Sequence, residues 1–351
     1  MGVFDDVLGH NESLIINEDV LEYDFIPDRV PHRESEQRHL ATCIKPLFFN
    51  RKGKNLFMYG TPGIGKTVAT RKVLEDMSDE TDEIYPLYVN CWKHNTTYKV
   101  LMEICDQLDY KFTQNKKTTD LFKVIQTIVN KKAGAFVFDE IDKAEDLDFL
   151  YFCMQDITSK TIFLLTNYKE WLINLDLRLK SRLMAETLEF RSYSFTETKS
   201  ILEERVEAGF PKDVFSLDAF ELVAKKSHDL KDIRIGLFLL KESAFVAEAN
   251  AKKKVDLSDV ESVISKLDKF TIKDADDLDT DTKIIFKIIR SNSGKKIGDL
   301  YKIYQGEGGK KGYKTFQRKI AKLEEGSYIS TKKSTGSGGN TTIVEKKLND
   351  F

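Results

Sequence analysis

The chain is 351 residues long, 41% hydrophobic and 32% charged, which excludes intrinsic disorder and suits two or three globular domains. No apolar run approaches the roughly 18 residues of a membrane span, and the opening residues lack a basic, apolar leader or a hydroxyl at Asp6 for lipidation, so a cytoplasmic, nucleoid-associated protein with no membrane partner is expected. The net charge of −2 hides an asymmetry: residues 281–351 carry 16 Lys+Arg against 7 Asp+Glu, so +9 sits there and −11 on the rest, a basic tail suited to a polyanion.

Residues 1–22 have no periodicity and read as an N-terminal arm. A helix opens at His32–Glu36 and carries Leu40, Ile44 and Leu47 on one face. Short apolar runs then recur as strands at 55–59, 85–90, 135–139, 161–166 and 187–190. Helical patterns at 67–77, 97–108, 120–130 and 147–157 separate them. This alternation predicts a parallel sheet with helices on both faces, an α/β domain over 23–192. Helical patterns alone fill 193–272, a lid-sized domain. The acidic stretch within 273–280 reads as a linker. Residues 281–351 show three helices, a strand, a glycine-rich turn and a second strand, the elements of a winged helix-turn-helix. Cys43, Cys91, Cys105 and Cys153 form no CxxC pair and the five histidines show no metal-ligand spacing, so reduced thiols and no zinc centre are expected.

Gly60-Thr61-Pro62-Gly63-Ile64-Gly65-Lys66-Thr67 matches GxxxxGK[ST] between a strand and a helix. The glycines let backbone N–H groups face phosphates, Lys66 reaches the β and γ phosphates, and the Thr67 hydroxyl binds Mg²⁺. Phe136-Val137-Phe138-Asp139-Glu140 supplies the complementary part. Its apolar residues bury a strand and present Asp139 to the metal and Glu140 to an attacking water, which makes ATP hydrolysis the expected chemistry. Asn167 either terminates its strand or offers an amide to the water or γ-phosphate. Arg178 and Arg182 share a helix face, either as plain basic surface or as an arginine finger for a neighbouring subunit. Arg234 either reaches back to the nucleotide or pairs with Asp232.

In the tail, residues 312–323 place Lys314, Gln317, Arg318 and Lys322 opposite a buried stripe of Phe316, Ile320 and Leu323, as a DNA recognition helix requires. The turn with Lys332, Lys333, Ser337, Gly338, Gly339, Asn340 and Thr341 has the small, polar residues of a wing that lies along phosphates or in a minor groove.

The order of these motifs resembles AAA+ ATPases. Three strings resemble more narrowly the archaeal origin-recognition initiators, relatives of the eukaryotic origin recognition complex and its helicase-loading partner. They are Ile26-Pro27-Asp28-Arg29-Val30-Pro31-His32-Arg33-Glu34, Val89-Asn90-Cys91 with Asn95, Thr96 and Tyr98, and Leu177-Arg178-Leu179-Lys180-Ser181-Arg182-Leu183. The resemblance spans about residues 23 to 348. It implies a P-loop AAA+ domain, an α-helical lid and a winged helix, and a slow ATPase that binds double-stranded origin DNA and helps recruit the replicative helicase, beside other initiator subunits. It further implies that Lys66, Thr67, Val68, Ala69 and Thr70 line the phosphates of ATP or ADP and that Val30 and Arg33 lie near the adenine. Tyr193 and Arg205 would contact nucleotide. Asn167 and Arg234 would be the two sensors, and Arg182 the finger with Arg178 as its alternate. Lys231 stands where the family has glycine before Asp232 and Arg234. A helical wedge that touches DNA falls near 109–119, with Lys111, Lys116 and Lys117. The competing readings are a loader-type AAA+ enzyme acting on protein partners and a nucleotide-gated DNA-binding regulator without significant turnover.

Overall fold

The computed structural model describes residues 13–273, 280–309, 311–325, 329–336 and 339–346. They pack as two units, one ending at Leu257 and the other beginning at Ser258.

In the first unit the short apolar runs form a five-stranded parallel sheet: β1 (Leu56–Tyr59), β2 (Ile84–Asn90), β3 (Ala133–Asp139), β4 (Lys160–Thr166) and β5 (Glu186–Glu189), in the order β2-β3-β4-β1-β5. Every residue of β3 and β4 is buried, which is why both read as continuous apolar runs rather than alternating ones. Successive side chains serve two cores. Phe57, Phe136, Phe138, Ile162 and Leu164 face one layer of helices. Leu56, Met58, Val137, Phe163 and Leu165 face the other. The second layer is α1 (Glu34–Ile44) and α2 (Lys66–Glu80), which contribute Leu40, Ile44, Ala69 and Val73. The first is α3 (Thr97–Gln107), α4 (Thr118–Val129) and α5 (Asp148–Asp156), with Leu101, Ile125 and Phe149. Two short helices, α6 (Glu170–Asn174) and α7 (Leu177–Leu183), lead into β5. Because β1 lies between β4 and β5, the loop that follows it opens at the carboxyl edge, beside the ends of β3 and β4, where parallel sheets take ligands.

Helices α8 (Phe195–Gly209), α9 (Leu217–Leu230) and α10 (Ile233–Ala249) complete this unit. A capping box starts α8: the Ser194 hydroxyl accepts from the Glu197 N–H, and the Glu197 carboxylate accepts from the Ser194 N–H. Residues 13–22, read as part of an N-terminal arm, are docked on these helices. The N–H groups of Ile16 and Asn17 donate to the Gly209 carbonyl, Lys241 bridges Glu18 and Glu22, and Val20 and Leu21 are buried. Two adjacent apolar residues in a single 3₁₀ turn, Asp19–Leu21, are too short a signal for periodicity to register.

The second unit holds α11 (Leu257–Lys273), α12 (Thr280–Ser291), β6 (Lys295–Lys296), α13 (Ile297–Gly306), α14 (Tyr313–Glu325), β7 (Ile329–Gly336) and β8 (Gly339–Lys346). The strands form an antiparallel sheet in the order β6-β8-β7, and β6 is an element the sequence did not announce. Ile285, Ile289, Leu300, Tyr304, Phe316, Ile320, Leu323 and Val344 make its core. The acidic stretch Asp274–Asp279, read as a linker, lies outside the described residues.

Candidate nucleotide site and basic helix face

The loop from Gly60 to Gly65 turns through two left-handed residues, Gly63 (φ 69°) and Gly65 (φ 85°), a conformation that strains any residue with a Cβ. Space is equally restrictive. A Cβ on Gly63 would lie 1.8 Å from Asp232 Oδ1, one on Gly65 2.8 Å from the Tyr193 hydroxyl, and one on Gly60 2.5 Å from the Phe190 carbonyl. The loop is therefore cradled by the end of β5, by Tyr193 and by the start of α10. A further bond runs from the Ile233 N–H to the Gly63 carbonyl (3.2 Å). Thr61 Oγ1 lies 3.5 Å from Ser192 Oγ, and Ile64 is buried in the core beneath.

Lys66 opens α2 and is buried. Its ammonium donates to the carbonyls of Gly60 and Thr61 (both 2.9 Å) and to Asn167 Oδ1 (2.8 Å), so all three donors are engaged. These acceptors mark places that phosphate oxygens can take over. Burial pushes the Lys66 ammonium down to about 8, with Arg234 acting in the same direction and Asp139 against it. The Asn167 side-chain oxygen thus accepts from the P-loop lysine at the end of β4. Next along, Thr67 Oγ1 donates to Asp139 Oδ2 (2.6 Å). A hydroxyl and a carboxylate are hard oxygen donors, the chemistry Mg²⁺ selects. Glu140 follows in the left-handed region (φ 51°), and its N–H donates to Asp139 Oδ1 (2.9 Å), which turns the chain sharply as it leaves the strand.

One participant escaped the sequence reading. The Tyr88 hydroxyl donates to Asp139 Oδ2 at 2.8 Å, and burial together with the Asp139 charge raises its pKa, so it stays protonated and remains a donor. Tyr88 is on β2 facing β3, where tyrosine reads simply as a strand residue.

Other predicted residues have different surroundings. Val30 is buried in the core with Ile64 and Tyr193. Arg33, placed beside the adenine by resemblance, is fully buried and engaged with protein groups. Nε and Nη2 donate to the Ile64 carbonyl (3.1 and 3.0 Å), Nη2 also to the Arg191 carbonyl (2.6 Å), and Nη1 to Glu36 (3.0 Å), while the guanidinium stacks 3.9 Å from the Tyr193 ring. It clamps the P-loop to the end of the sheet. Val68 is half-buried against the core below the sheet, Ala69 is fully buried, and the Thr70 hydroxyl donates to the Lys66 carbonyl (2.8 Å). The Arg205 guanidinium lies 4.9 Å over Phe25. Arg234 pairs with Asp232 (2.6 Å), whose other oxygen meets the Arg234 N–H as the cap of α10. Lys231 adopts the left-handed conformation (φ 55°, ψ 31°) that glycine takes most readily. Arg178 and Arg182 are exposed on α7, and Arg182 Nη1 is 3.3 Å from Gln155 Oε1.

In the second unit Lys314, Gln317, Arg318 and Lys322 are exposed on α14, while Phe316, Ile320 and Leu323 are buried. The backbones of Lys332 and Lys333 on β7 pair with β8, as do those of Gly339, Asn340 and Thr341 with β7; Ser337 and Gly338 lie outside the described residues. Of residues 109–119, where the resemblance implies a helical wedge, 109–117 form a loop between α3 and α4 and the last two open α4, with Phe112 79% exposed and Lys116 over the Tyr110 ring.

Residues 36–191 match the family model of the NB-ARC domain, and residues 199–265 match that of the Cdc6 AAA+ ATPase-type lid domain. The first spans the sheet and its P-loop, and the second the helices that follow. The chain is 27% identical to ORC1-type DNA replication protein 2 of Methanosarcina acetivorans, over 97% of this chain and 95% of that one. Its fold is similar to the Aeropyrum pernix ORC1 protein solved in complex with DNA (TM-score 0.70, 24% identity, 96% and 95% of the two chains). It is also similar to the ADP form of the Aeropyrum pernix ORC2 protein (TM-score 0.68, 18% identity, 94% of each). The AAA+ architecture of sheet and helical lid is thereby established.

Proposed function

We infer what this chain does from the family it belongs to, the archaeal origin-recognition (ORC1-type) AAA+ ATPases, and we propose that it is an ATP-dependent replication initiator. It binds ATP or ADP with Mg²⁺ in the P-loop cradle, hydrolyses ATP slowly, grips origin duplex through residues 281–351 as a winged helix, and helps recruit the replicative helicase.

The observation that carries the reading is the convergence of Lys66 with Asn167 and of Thr67 with Asp139 at one edge of the sheet, under an α10 that begins against Gly63. When magnesium is bound, Thr67 and Asp139 hold it, and it neutralises charge on the phosphates. Tyr88 keeps the Asp139 carboxylate in place. Lys66 exchanges its carbonyl partners for phosphate oxygens, Asn167 stays within reach of the same group, and Glu140 orients the attacking water. Arg234, paired with Asp232 in the free protein, turns to phosphate when nucleotide binds, which ties the lid to occupancy of the site. Arg182 serves a neighbouring subunit's site. The DNA end rests on the exposed Lys314, Gln317, Arg318 and Lys322 of α14, and the strands β7 and β8 supply the wing.

Two measurements on the full chain decide between this and the competing readings. ATP turnover by the wild type should be lost by about 100-fold or more in Glu140→Gln while nucleotide still binds. Equal turnover in the two proteins would make the chain a nucleotide-gated regulator. Duplex binding should vanish when residues 281–351 are removed, with ADP binding retained. Duplex binding absent from the intact chain would favour a loader that acts on proteins.

A further inference from the structure

We propose that His39, Cys43 and Glu186 form a zinc site that fastens α1 to β5. His39 and Cys43 are four residues apart on α1 and so share a face, and Glu186 is the first residue of β5. One imidazole nitrogen, one sulfur and one carboxylate oxygen lie within 4.8 Å of one another. That donor set is zinc chemistry, with the fourth position of a tetrahedron left to water. His39 Nε2 and Glu186 Oε2 are 3.3 Å apart. A tetrahedral zinc with bonds of about 2.0–2.1 Å sets its nitrogen and oxygen ligands about 3.3 Å apart. The Cys43 sulfur lies within 4.8 Å of the other two atoms, and binding draws it in by about 1 Å to the remaining corner.

A second observation is independent of this spacing. His39 Nε2 is a buried atom that makes no hydrogen bond, although the carboxylate oxygen is at contact distance. A plain His–Glu pair directs the ring N–H at the oxygen. Here the two atoms face each other without that alignment, a geometry that leaves both open to a shared metal ion. The surroundings also fit. Lys54 Nζ holds the other oxygen, Glu186 Oε1, at 2.8 Å, so that ligand has an outer partner, and the Lys54 N–H donates to the Cys43 carbonyl (3.0 Å), which ties down the backbone that carries the thiol. Burial, helped by Glu186, pushes the Cys43 thiol up to about 11, so the metal-free group is a neutral thiol. On binding, Zn²⁺ replaces the thiol proton, which passes to solvent.

The site is distinct from the nucleotide cradle. Leu56 pairs with Glu186 and Tyr59 with Glu189, and the P-loop follows Tyr59, so Glu186 stands at the opposite edge of the sheet, about 10 Å away along the strand. Reading histidine and cysteine spacing alone missed it because the third ligand is far along the chain.

Co²⁺ added to the full chain, followed by competition with Zn²⁺, tests the proposal. One Co²⁺ per chain should give the intense visible absorption of a tetrahedral centre with a thiolate-to-cobalt charge-transfer band, and Zn²⁺ should abolish both. Cys43→Ser should lose the charge-transfer band, and His39→Ala and Glu186→Gln should weaken Zn²⁺ binding by at least about tenfold, all with ADP binding unchanged. Cobalt held by Thr67 and Asp139 instead would show weak octahedral absorption and no sulfur band, and finding only that spectrum overturns the site. So does a charge-transfer band that survives Cys43→Ser. Should that variant not fold, His39→Ala decides, because this side chain is 40% exposed; unchanged Zn²⁺ affinity there refutes the proposal.

Discussion

Lys66 combines two properties that oppose each other: it is buried, which disfavours its charge, and its task is to meet phosphate, which needs that charge. In the free protein its ammonium is held at about 8. Bound phosphate, being negative, raises it, so binding takes up a proton wherever the free protein has released one. Affinity for magnesium-free ADP should therefore be level below about pH 8 and fall by up to tenfold per pH unit above it, until the complex itself begins to lose the proton. Calorimetric titrations from about pH 7 to 9.5 read this directly, and a level profile throughout would show that the three oxygens around Nζ keep the free lysine charged. The meeting of Lys66, Thr67, Asp139 and Asn167 was legible in the sequence because each belongs to a local string that follows or ends a strand. The contacts of Tyr88 and Arg33 were not. Tyr88 reaches Asp139 only because β2 and β3 pair in a register that puts Asn90 beside Asp139 and Tyr88 two places back. Arg33 stands in a string that points to nucleotide, yet its planar fork matches two backbone carbonyls and a glutamate, and that packing is invisible without the third dimension.

At the scale of elements, β3 and β4 were legible because burial on both sides makes each a short apolar run bounded by turn residues, and the helices because their apolar stripes keep a period of 3.6. What lay beyond reach was short or depended on distant partners: the two residues of β6, the 3₁₀ turn at Asp19–Leu21, and the loop where a wedge helix was expected. The turn between α9 and α10 shows a local rule bent without being broken. Lys231 caps α9 in the left-handed conformation, where a Cβ is disfavoured by roughly 1 kcal/mol, and the turn it makes delivers Asp232 to the cap of α10 and to Gly63. Lys231→Gly removes that strain. It should stabilise the protein by about 0.5–1 kcal/mol, seen as a higher denaturation midpoint with no change in ADP affinity. A lower midpoint would mean that the lysine side chain contributes more than its backbone strain takes away.

For the whole molecule the decisive quantity is the separation of charge, +9 on residues 281–351 against −11 on the remainder. A single net figure of −2 would argue against binding a polyanion. Screening resolves the conflict, since at about 0.1 M salt charges more than roughly 10 Å from the phosphates contribute little and the basic segment acts almost alone. Within it, Lys314, Arg318 and Lys322 recur every four residues on the exposed side of α14, a row that a phosphate backbone can follow. Each cation in contact with a phosphate adds about 0.9 to the slope of log affinity against log salt. Replacing all three by alanine in the full chain should therefore lower that slope by about 2.7 and weaken binding to every duplex alike, whereas Gln317→Ala should leave the slope unchanged and act, if at all, on sequence preference. A triple variant that binds more weakly with the slope intact would mean that α14 does not lie along the phosphates, and the positive charge of the segment would then have to work through the β7–β8 strands instead.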